Sequence, residues 1–474
     1  MQKSLTQIHE ELKNGMLAIE ALVDECKSTI TEKEKDVHAL LGLYSDALIA
    51  TQIAKAKELF AKGEASLLTG IPVVLKDNIL VQGELATGGS KILERYVAPY
   101  DATVVTKLKA VGAILLGRAN MDEFAMGGST ENSAYGVTKN PRDLTKVPGG
   151  SSGGSAAVVA YGGVPVALGS DTGGSIRQPA SFCGIVGLKT TYGDVSRYGL
   201  MAMGSSLDQI GPFGNSVEDV EIVYSLISGH DPMDSTSLPK ELRREAQTKT
   251  PMKKVIGVPM SFVKREGIDK EVLANFEESL ESLKRIGYTI KDISIPHLEK
   301  TLSVYYVLMF AEVSSNLARY DGIRYGLSHP GETSIRSYFE SRTAGFGKEV
   351  RRRILLGTYV LSSGYYDAYY NKANLVRSML KKEFTKVFEE VDTIAIPTSP
   401  IPAFAIGEKS HDPLAMYLAD IFTVPVNIVG VPGISIPSGV TKNNLPLGIQ
   451  FIANHTREDV LFMVGKEFEK TIKG

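Results

Sequence analysis

The spacing of apolar residues changes period along the chain, and the changes lay out its elements. Leu5, Ile8 and Leu12 recur at helical spacing, and Gly15 and Gly42 are almost the only breakers before Gly63. This predicts an N-terminal helical layer over 1–65. From Gly70-Ile71-Pro72 the period shortens, so that Val73 to Leu75 reads as a strand, Asp101 to Ala110 as an amphipathic helix and Ala113 to Gly117 as a second strand. Ser155 to Tyr161 then reads as helix and Val164 to Leu168 as strand, the alternation of an α/β protein.

Ser216 to Asp219 has the form of a capping box ahead of an apolar helix, and Thr456 to Asp459 repeats it near the end of the chain. His230 to Met252 is polar and irregular, as a surface excursion would be. Val255 to Val258 resumes a strand, Val272, Phe276, Leu280 and Leu283 line one helical face, and YTIKDISI is strand-like. Residues 301–391 read as mostly helical, including the Tyr-rich GYYDAYY, and DTIAIP, GISIP and LGIQFIA return to strands. Strands toward both ends with no linker between them predict one large layered domain over 1–474, with 66–474 as its core.

One stretch stands apart from these patterns. Pro148 to Gly187 holds 11 of the 46 glycines, clustered beside serines. Glycine lets main-chain N–H groups converge on a ligand oxygen, and a helix opening just after Ser151 aims its first N–H groups at that loop. Ser151 and Ser175 are presented in this way. A flexible linker does not fit, because apolar segments long enough to be core elements interrupt the glycines.

Composition narrows the setting. With 43% hydrophobic and 22% charged residues the chain is an ordinary globular one, and its net charge of −2 does not mark a nucleic-acid binder. The only cysteines, Cys26 and Cys183, form neither a disulfide framework nor a zinc motif. No signal-peptide pattern opens the chain, and the most apolar stretch, Ala156 to Gly169, is too short and too interrupted to span a bilayer, so a cytoplasmic protein with no membrane contact is expected.

Gly149 to Gly153 matches the GxSxG elbow of α/β-hydrolases, but any Gly/Ser-rich run does. That fold also needs a later histidine, and the downstream ones are His230, His297, His329, His411 and His455, of which His230 and His411 lie in polar HDP loops. A serine can instead be activated by a neutral lysine, and Lys76 follows an apolar strand whose burial would lower its pKa. A strand-end lysine reaching water is the competing reading. The resulting hypothesis has Ser175 attack, Ser151 relay the proton and Lys76 receive it, with backbone N–H groups of Thr172, Gly173 and Gly174 as an oxyanion hole. No Walker A loop or strand-placed GxGxxG supports phosphate cradling, which leaves a nucleotide- or phosphate-binding module as the weaker use of these glycines.

At these residues the chain resembles the amidase signature enzymes, whose Ser, cis-Ser and Lys triad falls on Ser175, Ser151 and Lys76. NMDEFAMGGSTENSAYG, SSLDQIGP, GHDPMDSTS, ARYDGIRYG and GTYVLSSGYYDAYY are most similar to the branch of that family that provides the glutaminase component of a tRNA-dependent amidotransferase. The resemblance implies a mixed central sheet covered by helices on both faces and a cis peptide before Ser151. It also implies a heterotrimer with B and C subunits. In such a complex this chain binds no cofactor, ATP and Mg are used by the whole assembly, and tRNA is held mainly by a partner. Arg353 would grip the α-carboxylate of glutamine and Asp420 its α-ammonium, with Tyr306 or Tyr305 lining the pocket, although each ion by itself reads equally as a solvated surface charge. A free-standing hydrolase of another small amide is the alternative. Thr190, where the family usually has proline, and Gly89, where cysteine or alanine is expected, depart from the pattern.

Overall fold

Eleven strands join into one sheet in the computed structural model, which describes residues 3–242, 252–410 and 412–473. They are β1 (Leu40–Leu43), β2 (Pro72–Lys76), β3 (Ile114–Ala119), β4 (Val166–Asp171), β5 (Val186–Lys189), β6 (Gln209–Gly214), β7 (Val255–Val258), β8 (Thr289–Asp292), β9 (Thr393–Pro397), β10 (Gly433–Val440) and β11 (Pro446–Ala453). Their order is β1-β3-β2-β4-β6-β5-β10-β11-β9-β7-β8. The sheet is mixed: β3, β2 and β4 run parallel, as do β9, β7 and β8, and antiparallel strands join the two groups. Every residue of β2, β4 and β6 is buried, which requires helices on both faces of the sheet.

The N-terminal layer comprises helices Leu5–Lys13, Ile19–Val37 and Asp46–Lys62, and it also contributes β1, which pairs antiparallel with β3. Four residues are too few to show a period in sequence, and only the distant partner strand makes them a strand. Leu5, Ile8 and Leu12 are buried as their spacing predicts. Ser216 Oγ caps the helix Val217–Ile227 by accepting from the Asp219 N–H at 3.1 Å, and the Asp219 carboxylate accepts the Leu5 N–H at 2.8 Å. The N-cap turn thus also ties the N-terminal layer to the core.

β5 and β6, unmarked in the sequence, lie among glycines and a proline and pair with β10 and β4. The helical stretch after 301 contains Thr301–Asn316, Ser334–Gly345, Lys348–Leu361 and Lys372–Phe388, and the Tyr-rich segment Tyr366–Asn371 is a π-helical turn. His411 and residues 243–251 of the expected surface excursion lie outside the described residues. Among the described residues no helix is long and apolar enough to cross a membrane.

Candidate active site

Lys76 ends β2, and Ser170 and Asp171 end its parallel neighbour β4, which is in register with it at Leu75 and Leu168. The carboxyl ends of parallel strands are where open α/β sheets place ligands. Lys76 is 0% exposed, so it does not reach water. Its Nζ lies 2.7 Å from Ser151 Oγ, 2.8 Å from Ser152 Oγ, 3.0 Å from Ser170 Oγ and 3.3 Å from the Ser170 carbonyl. Burial pulls its pKa down to about 7, against the opposing pull of Asp122, Asp171 and Asp208. Around neutral pH a large share of Lys76 is therefore an uncharged amine.

The hydroxyl protons around it are not equivalent. Ser152 Oγ donates to the Ser170 carbonyl at 3.0 Å, so toward Lys76 it accepts. Ser170 Oγ accepts from Asn78 Nδ2 at 3.0 Å. Ser151 Oγ is the nearest atom to the amine, and it follows the cis peptide Gly150–Ser151, the bond expected there. The helix Gly153–Ala160 opens two residues later.

Ser175 ends the turn after β4 and is 8% exposed, whereas Ser151 is fully enclosed. The Ser175 carbonyl accepts the Ser152 N–H at 3.2 Å, which brings the two serine loops into contact. Beneath the turn, Arg177 grips Asp171 through two bonds of 3.0 Å, and it also donates to the Thr423 carbonyl at 2.9 Å. Burial would raise the Asp171 pKa, but Arg177 outweighs it and holds the carboxyl at about 2. Asp171 in turn accepts the Gly174 N–H at 2.8 Å and the Ile176 N–H at 3.2 Å.

One donor of the expected oxyanion hole is engaged elsewhere. The Gly174 N–H is already bonded to the buried Asp171 carboxylate. Among the described residues the N–H groups of Thr172, Gly173 and Ser175 have no acceptor, while the Thr172 hydroxyl donates to Asp208 at 2.7 Å. These three N–H groups are the donors of the turn left open to a developing oxyanion.

Arg353 is 4% exposed, which removes the solvated-charge reading for it. Its Nε donates to Glu349 at 2.7 Å, Nη1 meets Met309 Sδ at 3.6 Å, and Nη2 has no partner among the described residues. The guanidinium lies 5.8 Å from the centre of the Tyr417 ring, on which Tyr306 stacks at 4.0 Å. Tyr305 stands edge-on to Tyr306 with its hydroxyl end against the nucleophile turn, 2.6 Å from where a Cβ on Gly173 would sit. Tyr306 therefore belongs to the Arg353 cluster and Tyr305 to the floor of the serine site. Asp420 is half-buried, and its pKa rises to about 8 through burial, with Arg353 pulling it down and Asp171 pushing it up. Thr423 Oγ1 donates to the Gly173 carbonyl at 2.6 Å and lies 3.1 Å from the Asp420 carbonyl, which ties the acid's turn to the nucleophile's. Among the described residues no group of histidine, cysteine and acidic side chains is arranged to hold a metal ion.

A family model described as amidase matches residues 21–462. The chain belongs to the amidase family. It is 50% identical to the A subunit of glutamyl-tRNA(Gln) amidotransferase from Microcystis aeruginosa over 98% of this chain and 97% of that protein. The protein of the same description from Thermoanaerobacter pseudethanolicus is 52% identical over 99% of this chain and 96% of its own length. Among solved structures, the corresponding glutamyl-tRNA(Gln) amidotransferase chain from Thermotoga maritima superimposes with a TM-score of 0.78 at 42% identity, covering 95% of this chain and 91% of that one.

Within this amidase, the sequence reading named Lys76, Ser151 and Ser175 but not the residues that shape their surroundings. Ser152 and Ser170 had no signal beyond neighbouring the serine loops, Glu349 precedes Arg353 by one turn of the same helix, and Tyr417 is an ordinary helix residue until folding sets it beside Arg353. Asp171 and Arg177 flank the DTGGS turn in sequence, and a buried charge pair six residues apart around a glycine turn could have been noted. Gly89 has a φ of +69°, and a Cβ there would meet the Met121 carbonyl at 2.8 Å, so the expected alanine or cysteine does not fit this loop. Thr190, in place of the usual proline, is buried and accepts from Lys189 Nζ through its carbonyl at 2.7 Å.

Proposed function

We propose that this chain is the glutamine-hydrolysing A subunit of a glutamyl-tRNA(Gln) amidotransferase. The observation that carries the reading is its identity of about half, over nearly full length, with curated proteins of that description. The site is compatible with it: a buried guanidinium and a carboxyl flank the serine loops, and a zwitterionic amino acid needs one of each.

In this reading Ser175 Oγ attacks the carboxamide carbon of glutamine while its proton passes through Ser151 to the uncharged amine of Lys76. The open N–H groups of Thr172, Gly173 and Ser175 serve the developing oxyanion. Lys76 returns the proton through Ser151 to the departing nitrogen, releasing ammonia and leaving a glutamyl ester on Ser175. Water, deprotonated by the same relay, opens the ester to glutamate. Arg353 Nη2 binds the α-carboxylate and Asp420 the α-ammonium, whose charge stabilises the ionised form of a carboxyl that burial otherwise keeps protonated. Ammonia then passes to the B subunit of a cytoplasmic heterotrimer with B and C subunits, where ATP and Mg serve the amidation of Glu-tRNA(Gln).

The test compares ammonia release from glutamine with release from simple aliphatic and aryl amides, with and without co-purified partner subunits. Preference for glutamine and stimulation by partners are expected. Full turnover of simple amides by the pure chain, unchanged by partners, would identify a free-standing hydrolase instead.

A further inference from the structure

The geometry points to Asp122 as a positioning residue that clasps the Ser151 loop and, as an ionised carboxylate, favours the ammonium form of Lys76. The inference rests on the Ser-Ser-Lys reading above and goes beyond it.

Asp122 is fully buried, and it belongs to the glycine-rich segment that follows β3. Its Oδ2 accepts the N–H groups of Ser129 at 3.3 Å and Thr130 at 2.9 Å, and its Oδ1 accepts that of Asn132 at 3.0 Å. All three named partners are donors, an arrangement that suits a carboxylate and gives the proton of a neutral acid no acceptor. Burial pushes the carboxyl up from its ordinary value, and these three N–H groups together with Lys76 pull it back toward the ionised form. Its own N–H donates to the Ser151 carbonyl at 3.2 Å. The loop beside it has no room for side chains: a Cβ on Gly127 or on Gly150 would run into the Asp122 carboxylate. The carboxylate therefore occupies the space between the 127–132 loop and the Gly150–Ser151 turn, and it holds both in place.

The same placement puts a negative charge near Lys76. Three acids face that amine: Asp122, Asp171 and Asp208. Asp171 is neutralised by Arg177 in the bidentate pair, and Asp208, a titrating group at about 6, is bonded to Thr172 and to the N–H groups of Met203 and Gly204. Asp420 also lies near Asp122, and burial pushes its own carboxyl up to about 8. Asp122 thus differs from Asp171 in having no arginine partner and from Asp208 in bonding through backbone N–H groups alone. Its charge opposes the burial that lowers the proton affinity of Lys76.

The test uses an organic fluorophosphonate, which Ser175 attacks at phosphorus with loss of fluoride while its proton moves to the relay. This readout needs the nucleophile and its base but not the glutamine pocket. In the wild type the labelling rate rises with pH through the Lys76 titration. Asp122→Asn is expected to slow labelling by about tenfold or more and to move the rising limb to lower pH by at least about half a unit, because removal of an anion makes the ammonium easier to deprotonate. A purely structural clasp would lower the rate and leave the limb where it is, which would overturn the inference. Asn132→Pro, at an exposed position, deletes one N–H donor to Asp122 and is expected to move the limb the same way by less. It decides the matter if Asp122→Asn does not fold, and an unmoved limb there counts equally against the proposal. If wild-type labelling is absent or unaffected by Lys76→Ala, the Ser-Ser-Lys reading itself fails.

Discussion

Arg177 and Asp171 face each other through two hydrogen bonds of 3.0 Å directly under the turn that presents Ser175, and neither side chain is exposed. The same carboxylate accepts the Gly174 and Ile176 N–H groups, so the turn on either side of the nucleophile is held by one ion pair.

Breaking that pair should cost stability as well as shape. Arg177→Met leaves Asp171 buried and uncompensated, with an expected loss of about 3–5 kcal/mol measured by urea unfolding. The pair also predicts a pH dependence. Because the folded Asp171 pKa is depressed to about 2 from 3.8, its contribution is present above pH 4 and is lost as pH falls through about 2. The amount is about 2 kcal/mol, and it should be missing from the acid limb of an Asp171→Asn stability profile.

Lys76 should be irreplaceable by another cation. Lys76→Ala is expected to lower turnover by about 10²-fold or more, and Lys76→Arg should not restore it, since a guanidinium stays charged. The rate of glutamine hydrolysis should rise through a limb near pH 7 that disappears in Lys76→Ala. Near wild-type turnover in Lys76→Arg would mean that the residue supplies only a fixed charge.

Ser175 should carry the acyl group. Ser175→Ala is expected to abolish hydrolysis while its thermal unfolding stays close to that of the wild type, since the change removes a single small hydroxyl that holds none of the hydrogen bonds of the turn. Mass spectrometry of a trapped adduct should find it on the Ser175 peptide. An adduct on Ser151 would reverse the two serine roles.

The pocket ions should separate binding from chemistry. Asp420→Asn and Arg353→Lys are each expected to raise KM for glutamine by about 10–100-fold, the scale of a lost charge-assisted hydrogen bond, with a smaller change in kcat. Hydrolysis of a simple amide lacking both α-groups should be unaffected by Asp420→Asn. An equal loss on both substrates would place Asp420 in the support of the Ser175 turn, to which Thr423 connects it.

Much of this protein was legible before folding was considered. Helices such as Lys270–Arg285 announce themselves through a period of 3.6, and strands such as β2 and β9 through short apolar runs buried on both faces, which are local properties of a chain. Clustered glycines beside Ser151 and Ser175, with a lysine at the end of an apolar strand, were enough to name a chemistry. What folding alone decided lies between residues far apart in sequence. The Lys76 pKa falls to about 7 through burial, and the hydroxyls that meet its amine, Ser151, Ser152 and Ser170, come from 75 to 94 positions away. Arg353 leaves the surface because the Tyr417 ring, on a much later helix, comes to lie beside its guanidinium. Residue type and spacing encode which groups are present and which face of an element they occupy. Proton affinity and hydrogen-bond direction depend on dielectric and distance, and those exist only once the strands have been brought side by side.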